Sequence, residues 1–150
     1  CLIDKGGEVG RAAVPHGVGT LASISNWEME QLGILMITAQ GGRRFRIIET
    51  QIGDGHLLEG TVELLAEAGP TPLPQERERL LPLLQRIVGD LGPERIPEPH
   101  RYDDAEWVGY RITEVLPIQN LAKQKLLELD DPLARLEILE KYLSQRKLLG

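Results

Sequence analysis

Residues able to do chemistry are few and scattered in this 150-residue chain. His16, His56 and His100 lie far apart in turn-like contexts, whereas a metal site needs three or four ligands converging on one point. They read as solvated loop histidines. Cys1 would need a histidine base and an orienting group to act as a nucleophile, and no motif supplies them, so it reads as an inert core or edge residue. Asp103, Asp104 and Glu106 resemble a carboxylate cluster, but they stand just before a helical stripe, where side-chain oxygens cap free backbone N–H groups. Asp130-Asp131 has the same explanation. Gly17-Val18-Gly19 lacks the third glycine and the following helix of a dinucleotide loop, and no Gly-x-x-x-x-Gly-Lys-Ser/Thr run exists to cradle phosphate. Arg43, Arg44 and Arg46 around Phe45 are the one concentrated basic patch. Two-residue alternation sends Arg44 and Arg46 to solvent and Phe45 inward, which is ordinary strand patterning. The expectation is a chain with no catalytic residue, no metal and no cofactor.

Composition narrows the classes further. A hydrophobic content of 41% supports a proper core, and a net charge of −6 argues against a phosphate backbone as main partner. A single cysteine rules out an internal disulfide and a cysteine-based metal cluster, which suits a reducing, cytoplasmic setting. No apolar run approaches the roughly 18 residues that cross a membrane, and no signal peptide is visible. Cys1 is not an initiator methionine. A lipidated N-terminus is one explanation; a chain entered midway through a strand, Cys1-Leu2-Ile3, is the preferred one.

The elements that would position these residues change type at Ala68-Gly69-Pro70-Thr71-Pro72-Leu73-Pro74. Before it the period is two and glycine punctuates. Strands are expected over Val18–Trp27, Leu32–Ala39, Arg43–Ile52 (with Phe45 and Ile47 on one face) and Leu57–Leu65, with turns at Gln40-Gly41-Gly42 and Gly53-Asp54-Gly55. After it the period is 3.6. Leu80, Leu84, Ile87 and Leu91 make one stripe, in a helix that Pro82 delays or kinks. Asp103 to Glu106 form a capping box before Ala105, Val108, Ile112 and Val115, and Pro117 ends that helix. Leu121, Lys125 (by its stem), Leu126 and Leu129 line a third helix. Asp131 then caps a fourth, with Pro132 in its first turn and Leu133, Leu136, Leu139 and Leu143 on its buried face. Strands followed by helices indicate an α+β protein: an antiparallel β subdomain at 1–68, a connector at 69–74 and a helical bundle at 75–150.

The run Lys123-Gln-Lys-Leu-Leu-Glu-Leu-Asp-Asp-Pro-Leu-Ala-Arg-Leu-Glu-Ile-Leu139 resembles the end of the Lon amino-terminal, substrate-binding domain, which also occurs in stand-alone bacterial proteins. Glu8-Val9-Gly10, Gly19-Thr20-Leu21-Ala22, Gly33 to Ala39, Gly41-Gly42-Arg43-Arg44-Phe45 and Asp54-Gly55-His56-Leu57 follow in the order and spacing of that family. The resemblance spans about residues 1–143. It implies a PUA-like pseudo-barrel followed by a helical bundle. Family members carry a further segment before this point, with a Pro-rich first strand, so the β part is expected to be an incomplete barrel. The domain belongs to an ATP-dependent protease yet recognises polypeptides and performs no chemistry, and the protease's ATPase module and Ser-Lys peptidase dyad have no counterpart here.

The resemblance therefore implies a non-catalytic polypeptide-recognition or adaptor module, whose partners are unfolded or extended polypeptide and, through the parent enzyme, a protease. An RNA-binding PUA-like module is the alternative. For the binding surface the sequence offers Trp27, Met29 and Leu32 in an expected interstrand connection, where aromatic and thioether side chains give adaptable apolar contact. The competing reading is that Trp27 plugs one end of the barrel. An unpaired strand edge, open to an extended segment, is a second candidate.

Overall fold

A computed structural model describes residues 1–7, 13–54, 57–67 and 69–149. The expected Glu8-Val9-Gly10 motif, the Gly55 turn position, His56 and the Ala68 boundary lie outside the described residues. The chain forms two compact units, Cys1–Glu67 and Ala68–Gly150.

The first unit is antiparallel. Short strands β1 (Ile3–Lys5) and β2 (Val14–Pro15) pair with each other, and β3 (Val18–Gln31), β4 (Ile34–Ile52) and β5 (Leu58–Leu64) form a three-stranded sheet in that order. The described strands close no barrel. Phe45 and Ile47 share a face, as alternation requires, and with Cys1, Ile3, Pro15 and Val62 they line a cavity of about 370 Å³. Gly19 lies opposite Phe45. A Cβ at Gly19 would stand 2.6 Å from the Phe45 ring, so this pairing needs glycine.

Two strand expectations are corrected here. Gln40-Gly41-Gly42 does not turn the chain: β4 runs through it without interruption. The glycines sit where the β3–β4 register slips, Thr20 facing Arg44 and Ala22 facing Gly41. Glycine inside a strand often marks a bulge of this sort. The reversal is instead the two-residue loop Leu32–Gly33, closed by Gln31 opposite Ile34. Gly33 there has φ of +89°, the left-handed value that the second loop position of a type II turn reserves for glycine.

The second unit is helical. A 3₁₀ turn (Gln75–Leu80) leads into α1 (Leu81–Leu91), and Pro82 falls in the first turn of α1, where its missing N–H is harmless. α2 (Ala105–Val115) starts at Asp104, whose Oδ1 accepts from the backbone N–H of Glu106 at 3.0 Å and of Thr71 at 3.3 Å. The capping oxygen is thus that of Asp104. Leu116 turns extended and ends α2, the conformation that a following proline imposes.

α3 (Asn120–Glu128) buries Gln124 and Leu126, while Leu121 and Lys125 face solvent, contrary to the expected stripe. α4 (Pro132–Gln145) is capped as expected by Asp131, whose Oδ1 accepts from Leu133 N–H at 2.8 Å and Ala134 N–H at 3.3 Å. Its buried face holds Pro132, Leu136, Leu139 and Leu143. Leu133 is exposed instead, because the helix phase gives the inward positions to Pro132 and Arg135.

Two buried charges complete the bundle. Glu140, at 5% exposure, receives ion pairs from Arg77 and Arg79 of the 3₁₀ turn. Arg135, at 0% exposure, donates from Nε to the Leu126 carbonyl at 3.0 Å and from Nη2 to the Leu129 carbonyl. Those carbonyls are left without helical donors where α3 ends, and a cation there also suits the negative end of the helix dipole. Its guanidinium carbon lies 4.0 Å from the Tyr110 ring centroid. The close approach depends on Gly109, where a Cβ would lie 3.2 Å from Arg135 Cδ.

Candidate functional site

The β3–β4 hairpin concentrates what a binding surface needs. Every residue from Leu21 to Arg43 is exposed. Directly opposed residues of an antiparallel pair share a face, so the register assigns the sides. Ile24 faces Ala39 and Trp27 faces Ile37, on one side; Asn26 faces Thr38 and Glu28 faces Met36, on the other. Ile24 and Trp27 are three apart, an odd spacing that would put them on opposite sides of a regular strand. The register slip between Ile24 and Asn26 absorbs the extra residue and returns both to one face. Met29 and Leu35 continue that face by alternation.

The outcome is a run of Ile24, Trp27, Met29, Leu35 and Ile37 along one side of a ribbon, with Trp27 at 64% exposure. Leu32 occupies the loop at the tip and is 100% exposed. The competing idea that Trp27 plugs a barrel end does not hold at that exposure. Trp27 and Met29 are strand residues, not loop residues; of the three, Leu32 alone sits in a connection. Ile24, Leu35 and Ile37 escaped the sequence reading because they join the patch only through the cross-strand register. The clue was Leu32-Gly33, a two-residue loop signal overshadowed by the glycine pair at 41–42.

The electrostatics of the hairpin are plain. Between Leu21 and Gly42 the only charged residues are Glu28 and Glu30, and Glu28 accepts a hydrogen bond from Asn26 at 3.1 Å. The basic patch also loses its expected form. Arg44 is 8% exposed rather than solvent-facing. Arg43 is tied to the Glu67 carboxylate at 3.5 Å and the Leu65 carbonyl at 3.4 Å. Among the described residues the hairpin has free edges as well. Among the described strands, β3 pairs only with β4, and β4 gains a second neighbour, β5, only from Phe45 onward.

The residues weighed for chemistry stay dispersed. His100 is partly buried, not solvated: its ring lies 5.7 Å from that of Tyr102 and 5.8 Å from that of Trp107, and its Nε2 is 3.1 Å from the Ile96 carbonyl. His16 has Asp4 at 4.0 Å. Cys1 is exposed. No group of three or more His, Cys, Asp or Glu that could hold a metal occurs among the described residues. No helix among them is long and apolar enough to cross a membrane.

The family model of the ATP-dependent protease La (LON) substrate-binding domain matches residues 4–145. The chain belongs to this family. A crystallised Lon N-terminal domain protein from Xanthomonas campestris is 30% identical, with a TM-score of 0.71 over 86% of this chain and 69% of its own. The N-terminal domain of a Mycobacterium avium complex Lon protease is 24% identical, with a TM-score of 0.61 over 85% of this chain and 70% of its own; that likeness is one of fold. No curated protein matches. Within the Lon-like run Lys123–Leu139, Asp131 and Arg135 now have physical roles, as the cap of α4 and the ligand of the α3 carbonyl end.

Proposed function

We propose that this Lon substrate-binding-family chain is a non-catalytic recognition module whose hairpin face, with Trp27, Met29 and Leu32 at its centre and tip, binds unfolded or extended polypeptide. The observation that carries the reading is a contiguous apolar face left in solvent on a ribbon whose edges are unpaired among the described strands. Isolated exposed apolar residues are common, but contiguous apolar patches on soluble domains mark interaction sites. The free edge of β3 would add main-chain hydrogen bonds to an extended segment, and the apolar face would receive its alternate side chains. Delivery to a protease is the role that family membership suggests. RNA is the weaker reading: the stretch Leu21–Gly42 carries no cation, and of the three clustered arginines beyond it one is buried and one is shared with Glu67.

The test is fluorescence anisotropy of a labelled, permanently unfolded polypeptide titrated with the protein. Binding should weaken about tenfold or more in Trp27→Ala with Ile37→Asp, and change little between low and moderate salt. Nucleic-acid binding would instead fall steeply as salt rises. Equal affinity for the wild-type and doubly substituted proteins would remove this surface from the account.

A further inference from the structure

We infer that a second recognition site lies in the helical unit: the groove between α3 and α4 accepts an amphipathic helix whose apolar stripe is flanked by carboxylates. The groove measures about 740 Å³, within the range of sites that enclose a specific ligand. Its walls are two ridges at helical spacing. Ala122, Leu126 and Leu129 come from α3 and its end, and Ile138, Tyr142 and Arg146 from α4 and its end. Rows of this kind form the channel into which the side-chain ridge of a third helix packs. α3 has nine residues and is therefore about 13 Å long, enough for two to three turns of such an occupant. Ile138 stands 47% exposed on the rim.

Charge selects the occupant. Two cations stand on opposite walls, Lys125 and Arg146. The groove's one carboxylate, Glu128, is already engaged, accepting from Lys125 Nζ at 2.9 Å and from Gln124 Nε2 at 3.0 Å. Arg146 makes no ion pair with a described residue; its guanidinium carbon rests 5.3 Å from the Tyr142 ring centroid. A carboxylate on an incoming helix would meet Arg146 without displacing an existing partner. The hairpin stretch Leu21–Gly42, whose only charges are Glu28 and Glu30, would not favour that ligand.

This site rests on the reading of the chain as a polypeptide-recognition domain, but its failure is separable from that of the hairpin. The probe is a 14-residue acetylated peptide of Leu and Ala with Glu flanking the Leu stripe, titrated into the ¹⁵N-labelled 150-residue protein. Amide shifts are expected around Ala122, Leu126, Ile138 and Arg146. Ile138→Glu should weaken binding about tenfold or more and Trp27→Ala should leave it unchanged. Arg146→Glu should reverse the preference, so that a Lys-flanked version binds better than the Glu-flanked one. Shifts confined to residues 21–43 would assign binding to the hairpin and overturn the groove alone. Equal affinity for Glu- and Lys-flanked peptides, or no shifts at millimolar peptide, would overturn it too.

Discussion

The two units of this protein treat apolar side chains in opposite ways. In the helical unit Leu80, Leu84, Val108, Ile112, Leu136, Leu139 and Leu143 are sealed, and partly buried aromatics pack around them. In the β unit Val18 is the single buried apolar residue among those described, while the hairpin exposes Ile24, Trp27, Leu35 and Ile37. Both are apolar-rich, so composition does not separate them. Geometry does. A helix bundle folds each stripe against its neighbours, whereas a two-stranded ribbon has no second layer and shows a full face to solvent. Stability therefore concentrates in one unit and available apolar surface in the other.

The comparison predicts a graded series of effects. Leu136→Ala empties a fully buried position and should cost about 2–5 kcal/mol, whereas the matching truncation Ile37→Ala on the hairpin should stay within about 0.5 kcal/mol. Denaturant unfolding of both proteins measures the contrast, and equal losses would break it. Next comes Glu140→Ala, which removes the carboxylate shared by Arg77 and Arg79 and should cost about 1.5–3 kcal/mol, the range for hydrogen bonds to charged groups. Asp131→Ala, which uncaps α4, should cost about 0.5–2 kcal/mol in the same assay.

The smallest effect is set by pH. The Glu137 carboxyl lies below its ordinary value of 4.5, first because it accepts a hydrogen bond from Lys141 and then through the charge of that lysine. A lowered folded-state value means that the unfolded chain binds the proton more readily. Its stabilisation is thus present above pH 4.5 and is lost as pH falls through the folded value. Glu137→Gln should slightly lower the melting temperature at neutral pH, and the difference from the wild type should vanish as pH falls through the folded value of the carboxyl.

Much of the helical unit was legible because its signals are local. A proline after Leu116, an aspartate before Pro132 and the 3.6-residue stripes each act within one turn. What escaped were effects set by tertiary partners. Arg135 is buried because it satisfies carbonyls at the end of another helix, which no hydrophobic pattern encodes. Leu133 and Leu121 look like stripe members but fall just outside the buried arc. In the β unit, Gly41-Gly42 carries a turn signal that the cross-strand ladder overrides. The apolar hairpin face was legible only in part: Trp27, Met29 and Leu32 stand close in sequence, whereas Ile24, Leu35 and Ile37 join them through a register that includes a bulge.

The most direct test of the account uses Trp27 as its own reporter, in a protein carrying Trp107→Phe so that one tryptophan remains. Trp27 begins largely in water, at 64% exposure, and a denatured test polypeptide that covers the hairpin face must dry its ring. The account predicts a saturable blue shift of the Trp27 emission that persists as salt is raised. An emission maximum unmoved at high micromolar polypeptide, under conditions where the polypeptide is shown to bind, would contradict it.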